Sequence, residues 1–106
     1  MEAPVKIELK TSTENKLKVF QIEGELDVHQ AKTLKSDIMD SLEENGWTYE
    51  LDMDKVTYLD SSGLGMLVYL KKEIGKRQGH FKISNLNEPV LNVFRLTKLD
   101  TFFGLK

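Results

Sequence analysis

The chain begins with two runs in which apolar and polar residues alternate. Val5, Ile7 and Leu9 are separated by charged side chains, which is the two-residue period of a half-buried strand. A polar stretch, residues 11–15, separates this run from a second one over residues 17–23. Two strand-like runs joined by a short polar segment favour an antiparallel β-hairpin.

Apolar residues then recur at intervals of three and four, the spacing of a helix that buries one face. The first such segment, residues 28–44, follows Asp27, and Asp27 has the spacing of a helix-capping pair with Gln30. A second segment spans residues 62–78 and is rich in lysine toward its end. Positive charge there suits the C-terminal end of a helix dipole, so both segments are predicted to be helices.

Extended segments are predicted between and after these helices. Residues 47–53 and residues 80–84 contain the apolar and β-branched residues typical of strands. Asp54 and Lys55 are predicted to make a short turn before a further extended run, residues 56–59.

A third helix is predicted to open at Glu88 and Pro89, because proline is favoured in the first turn of a helix. The resulting order is strand, strand, helix, strand, helix, strand, helix, which is typical of an α/β fold. Strand–helix–strand units favour parallel pairing through right-handed crossovers, whereas the initial hairpin makes the sheet mixed. A chain of 106 residues is expected to form a single domain, residues 1–106.

Composition narrows the classes of function. The formal net charge is −2 with acidic and basic residues interspersed, which argues against direct binding of nucleic acid. The absence of cysteine excludes disulfides, thiolate catalysis and cysteine-ligated zinc. Apolar runs are far shorter than a membrane span, and the first residues lack the pattern of a secretory signal. We therefore expect a cytoplasmic protein without membrane insertion.

The most informative stretch for chemistry is Tyr58 to Gly65, YLDSSGLG, where a predicted strand meets a predicted helix. Aspartate and serine are favoured at helix starts, so the plainest interpretation is a helix cap whose glycines permit close packing. The stretch lacks the glycine and lysine spacing of phosphate-binding and dinucleotide-binding loops. It also lacks the Gly-x-Ser-x-Gly arrangement around a hydrolase nucleophile.

The two histidines, His29 and His80, are not predicted to lie beside Ser61, which disfavours a serine hydrolase triad. They also lack the spacing of metal ligands. We therefore expect a protein that is not an enzyme and that uses no metal or cofactor. A serine hydroxyl exposed at a helix start remains accessible to a protein kinase, and a phosphate there would change partner preference without unfolding the domain.

Three segments of the chain resemble, in order and spacing, the STAS-domain anti-sigma-factor antagonists of bacteria: GELDVHQAKTLKSDI, VTYLDSSGLGMLVYLKK and FKISNLNEPVLNVFRLTKLDTFF. The resemblance extends from the first strand to about Phe103. It implies a single STAS domain with a small mixed sheet and helices packed mainly on one face. It also implies a partner-switching role, in which the unphosphorylated antagonist binds an anti-sigma factor and frees the sigma factor.

In that family the first serine of the motif is phosphorylated, so the resemblance assigns phosphorylation to Ser61. The implied partners are an anti-sigma factor that is itself a serine kinase of the histidine-kinase-like ATPase superfamily, and a PP2C-type phosphatase that removes the phosphate. The residues implied at the partner-binding surface are Asp27, Asp60, Ser62, Gly63, Leu64 and Met66.

STAS domains also occur in transport and stress-signalling assemblies. The alternative interpretation is therefore a scaffold or transport subunit in which Ser61 serves only as part of a helix cap. Family members commonly continue past the position of Lys106 with a further helix, and the resemblance leaves open whether residues 96–103 supply one. Three aromatic residues near this end are predicted to be core: Phe94, Phe102 and Phe103.

Overall fold

The computed structural model of the protein describes residues 5–105. It contains β1 (Lys6–Ser12), β2 (Leu17–Leu26), α1 (Val28–Asp40), β3 (Thr48–Leu59), α2 (Ser61–Lys76), β4 (His80–Ser84) and α3 (Glu88–Leu96). The predicted order of elements is confirmed. In the described range, the helices fall short of the length and apolar character that a bilayer crossing requires. The N-terminal residues 1–4, on which the prediction of no secretory signal partly rests, lie outside the described residues.

The four strands form one sheet in the order β1-β2-β3-β4. Strand β1 pairs antiparallel with β2, whereas β2 with β3 and β3 with β4 pair parallel. Helix α1 connects the first parallel pair and α2 connects the second. The sheet is therefore mixed, as the sequence predicts, and the carboxyl ends of β2, β3 and β4 lie at the same edge.

The core lies on one face of the sheet. Phe20, Leu51 and Ile83 are paired in register across β2, β3 and β4, and all three are buried. The opposite face carries polar side chains such as Gln21 and Asp52, which are also register partners. Buried side chains of the first two helices complete the core: Ala31, Leu34 and Ile38 from α1, and Leu67, Leu70 and Ile74 from α2.

Strand β3 is longer than the sequence pattern suggests. The predicted turn at Asp54 and Lys55 is wrong, because the strand continues through both residues to Leu59. The pairing of β3 with β2 is irregular here. Gln21 of β2 pairs with Asp52, but Glu23 pairs with Lys55, so β3 has an extra residue in this interval. The carboxylate of Asp52 accepts a hydrogen bond from the Asp54 amide at 3.1 Å, so a turn-like local contact is accommodated as a bulge within the strand.

Helix α1 ends at Asp40, four residues before the predicted end at residue 44. Tertiary contacts beyond that point replace helical ones. The buried Lys18 donates to the Ser41 carbonyl oxygen and, at 3.0 Å, to the Glu43 carboxylate. The Glu43 amide in turn donates to the Tyr49 hydroxyl at 2.6 Å. Ser41 and Glu43 therefore bind residues of β2 and β3 in place of helical partners, and α1 ends before them.

The segment after α3 forms hydrogen-bonded turns over residues 97–104, not a regular helix. It still packs on the domain through Phe103, whose ring contacts those of Phe94 and Phe81 edge to face at centroid distances of 5.4 and 6.3 Å. Phe94 and Phe103 are buried as predicted, but Phe102 is 38% exposed and lies outside the core. Its ring contacts that of Phe103 edge to face at 5.0 Å, and Lys71 Nζ lies 5.5 Å from its centroid.

Candidate functional site

Two helix starts lie side by side at the carboxyl edge of the sheet. Leu26, the last residue of β2, is the register partner of Leu59, the last residue of β3. The next residue in each case is an aspartate, Asp27 or Asp60, and each caps the helix that follows. Parallel pairing therefore brings together two sites that are 33 positions apart in the sequence.

Asp60 closes the start of α2. Its Oδ1 accepts hydrogen bonds from the amides of Ser62 at 2.9 Å and Gly63 at 3.1 Å, and its carbonyl accepts one from Leu64 at 3.0 Å. The helix therefore begins at Ser61, one residue before the predicted start. Because the aspartate satisfies the first free amides, the Ser61 hydroxyl is not needed as a cap. The Ser61 side chain is exposed at the first helical position.

Asp27 has the same role in α1. Its Oδ1 accepts from the amides of His29 at 3.1 Å and Gln30 at 2.9 Å. The predicted N-cap is confirmed, but the predicted pairing with the Gln30 side chain is wrong. Gln30 Oε1 instead accepts a hydrogen bond from the Val5 amide at 2.8 Å, which ties the start of the chain to α1. Asp27 itself is half-buried.

Gly63 explains how α2 can begin so close to the sheet. It is buried, and a Cβ placed on it would lie 2.4 Å from Leu59 Cδ1 and 2.9 Å from the Leu26 carbonyl oxygen. No side chain fits there without moving backbone, so the glycine is required by contact with the ends of both strands. The helix start is thus held against β2 and β3.

The other predicted contact residues divide by exposure. Ser62 and Asp60 are half-buried at the surface. Leu64 and Met66 are each only 6% exposed and belong to the core, which leaves little of either side chain to contact a partner. Their assignment to a binding surface stays a prediction, and their packing supports the helix start from beneath.

Two exposed apolar side chains flank the paired aspartates and were not predicted. Val28 directly follows Asp27 and is 45% exposed, and Tyr58 precedes Asp60 by two residues and is 47% exposed. Val56, two residues before Tyr58, is buried, so the exposure of Tyr58 does not follow from the two-residue period; it follows from the register shift between Gly24 and Glu25 of β2, opposite this part of β3. Val28 has the same spacing as the buried residues of α1, which would predict burial. It is the first residue of the helix, and there its side chain is exposed. Both side chains are exposed beside the two aspartates, where a partner that covers this edge would contact them.

Among residues 5–105, no group of three or more histidines or acidic residues is placed to hold a metal ion. This edge of the sheet presents a serine hydroxyl at a helix N-terminus, two capping carboxylates and two exposed apolar side chains.

Comparison with known proteins identifies the fold and the family. The family model described as "STAS domain" matches residues 6–106. The chain belongs to the STAS domain family. Among curated relatives, the "Anti-sigma-B factor antagonist" of Bacillus subtilis (strain 168) is 36% identical over 86 residues, which cover 81% of this chain and 77% of the relative. The family predicted from the three sequence segments is confirmed.

Solved structures of anti-sigma factor antagonists agree with the architecture described above. The crystal structure of an anti-sigma factor antagonist from Mycobacterium paratuberculosis is 25% identical, with a TM-score of 0.81, over 99% of this chain and 89% of that one. The structure of the anti-sigma factor antagonist SpoIIAA in its unphosphorylated form has a TM-score of 0.77 at 23% identity, over 91% of this chain and 84% of that one. The predicted STAS fold, a mixed sheet with helices mainly on one face, is confirmed.

Proposed function

We propose that this STAS domain is an anti-sigma factor antagonist that acts by binding and not by catalysis. The observation that carries the proposal is the exposed Ser61 at the start of α2, beside the paired helix caps of a domain whose curated relatives are named antagonists. In its unphosphorylated form the protein binds an anti-sigma factor in the cytoplasm and so releases the sigma factor.

The partner in this proposal is an anti-sigma factor that is also a serine kinase of the histidine-kinase-like ATPase superfamily. It phosphorylates Ser61, and a PP2C-type phosphatase restores the hydroxyl. The binding surface is centred on Ser61, Asp60 and Ser62, with Asp27 beside them and Val28 and Tyr58 at its apolar rim. Gly63, Leu64 and Met66 hold this surface in place through their packing.

The structure gives a physical reason why phosphorylation would act as a switch and leave the fold intact. The phosphate would stand at a helix N-terminus, where the helix dipole favours negative charge. The cap itself is made by Asp60, so modification of Ser61 breaks no hydrogen bond of the cap. A phosphoserine adds about −1.5 to −2 charges at pH 7 next to Asp60. A partner surface fitted to a neutral hydroxyl would then meet new bulk and negative charge.

Incubation with the anti-sigma factor kinase of the same bacterium and ATP tests this proposal. The wild-type protein is expected to gain one phosphate on intact-mass analysis, and Ser61→Ala is expected to gain none. Ser36→Ala provides the matched control, because it removes an exposed serine hydroxyl of α1 outside the proposed binding surface, and it should gain one phosphate as the wild type does. Phosphorylation of Ser61→Ala to the wild-type extent would show that the site is elsewhere.

A further inference from the structure

Gly65 lies exposed in α2, and nothing among residues 5–105 requires a glycine at this position. A Cβ placed on Gly65 would meet no atom within 4 Å, and its backbone φ is not in the left-handed region. Glycine is nevertheless less favourable than alanine in a helix, because it loses more backbone freedom on folding. Gly63, two residues earlier, is explained by contacts inside the domain, whereas Gly65 is not.

The position of Gly65 relates it to the serine. Ser61, Gly65 and Tyr69 follow one another at intervals of four residues, so they lie along one side of α2. All three are exposed, Tyr69 by 39%. Because Gly65 has no side chain, the helix backbone is uncovered there. This leaves a gap between the Ser61 hydroxyl, one turn earlier, and the Tyr69 ring, one turn later.

Two lysines lie at the far end of this gap, where the nearby carboxylate of Glu73 is already paired with Lys76 and Arg77. Lys35 of α1 places its Nζ 3.9 Å from the centroid of the Tyr69 ring. Lys72 is exposed on the same side of α2, seven residues after Gly65. Asp60 lies at the other end. A segment that follows this side of the helix meets a basic and aromatic surface beyond Gly65, which favours an acidic side chain at that place.

We propose that Gly65 is a specificity-determining contact, at which a backbone segment of the anti-sigma factor kinase crosses α2. The segment lies against the bare helix backbone, packs on Tyr69 and directs an acidic side chain toward Lys35 and Lys72. This inference rests on the proposed function. It also accounts for release: a phosphate on Ser61, one turn from Gly65, would place new bulk and negative charge beside the point where the segment crosses the helix.

A pair of glycine variants tests the contact. Gly65→Ala and Gly75→Ala each add one methyl group to the exposed side of α2, and neither Cβ would meet an atom within 4 Å. The two positions are ten residues apart, about 15 Å along the helix. Both variants are expected to keep or raise the Tm measured by circular dichroism, since alanine favours helix.

The affinity of unphosphorylated protein for the kinase is then measured by calorimetry. Gly65→Ala is expected to weaken binding about tenfold or more, and Gly75→Ala is expected to leave it within about twofold. Lys72→Glu should also weaken binding, whereas Lys98→Glu, an exposed lysine beyond α3, should not. Lys98→Glu is the control, because it changes the net charge by the same amount as Lys72→Glu.

The outcomes separate this inference from the proposed function. If wild-type protein is phosphorylated on Ser61 and Gly65→Ala binds the kinase as tightly as wild type, the Gly65 contact is wrong and the proposed function stands. Equal weakening of binding by Gly65→Ala and Gly75→Ala would also overturn it, because the loss of affinity would then not be specific to the side of α2 that carries Ser61. A fall in the Tm of Gly65→Ala would contradict the premise that this position is free. If wild-type protein neither binds the kinase nor is phosphorylated, both proposals fail.

Discussion

The backbone amide of Asp60 donates a hydrogen bond of 3.5 Å to the carbonyl oxygen of Leu26. This bond joins the residue that caps α2 to the end of β2, immediately before the cap of α1. The start of α2 is therefore fixed by its own cap and by the neighbouring strand. A serine displayed at such a place has a defined position relative to the sheet, which suits a site that another protein must recognise.

Removing the Asp60 carboxylate should destabilise the domain. Asp60→Ala loses both hydrogen bonds to the amides of Ser62 and Gly63, and we expect the free energy of unfolding to fall by about 1 kcal/mol. Asp60→Asn keeps an oxygen acceptor and should cost only a few tenths of a kcal/mol. Urea denaturation followed by circular dichroism measures both. Equal losses for the two variants would mean that charge, and not capping, is the main contribution of Asp60.

Gly63 and Gly65 should respond in opposite ways to the same added methyl group. Gly63→Ala would place Cβ within 3 Å of Leu59 Cδ1 and of the Leu26 carbonyl oxygen. We expect a loss of about 1–3 kcal/mol in the free energy of unfolding, the usual cost of overpacking. Gly65→Ala serves as the control because its Cβ meets open space. Wild-type stability in Gly63→Ala would show that α2 is not held closely against the strand ends.

Lys18 should stabilise the connection that follows α1. Its ammonium group is buried and donates to the Ser41 carbonyl and the Glu43 carboxylate, and it lies 5.4 Å from the Trp47 ring centroid. Lys18→Met keeps the length of the side chain but leaves these acceptors without their donor, so we expect a loss of about 1–3 kcal/mol. Lys10→Met on the exposed edge strand is the control. Chemical denaturation with equal midpoints for the two variants would contradict this role.

Acid stability should depend in part on Asp52. Partial burial by itself raises the pKa of this carboxyl group, but hydrogen bonds from the Asn85 side chain and the Asp54 amide outweigh it, so the pKa lies below its ordinary value of 3.8. A carboxylate with a lowered pKa contributes stability that is present above the unfolded pKa and is lost as the pH falls through the folded one.

Asp52→Asn removes the titrating group while retaining an amide oxygen near the same partners. The difference in unfolding free energy between wild type and this variant should be constant near neutral pH and should shrink as the pH falls below about 4. Denaturation curves over this pH range provide the measurement. A difference that stays the same down to pH 2 would show that the Asp52 carboxylate makes no pH-dependent contribution.

Local patterns in the sequence were sufficient to predict the order of elements and the Asp27 cap, because caps and apolar periods depend on neighbouring residues, and the family was predicted from the resemblance of three segments. The errors depend on distant contacts. The early end of α1 follows from Lys18 and Tyr49, which come from β2 and β3. The exposure of Phe102 depends on how the last turns lie against Phe103, which no local period specifies.

The same distinction applies to the candidate site. Ser61 could be identified from its motif, but its freedom from the cap depends on hydrogen bonds made by Asp60. That Asp27 lies beside Asp60 follows from the pairing of Leu26 with Leu59. The different reasons for Gly63 and Gly65 could not be read from the sequence, where both appear only as glycines near a serine.

The central claim is that one phosphate on Ser61 decides whether the anti-sigma factor is bound. The most direct measurement compares the affinity of the anti-sigma factor kinase for unphosphorylated protein and for protein phosphorylated on Ser61, by calorimetry at one salt concentration. We predict that phosphorylation weakens binding by about tenfold or more while circular dichroism shows the same fold. Equal affinity for the two forms would contradict the switch.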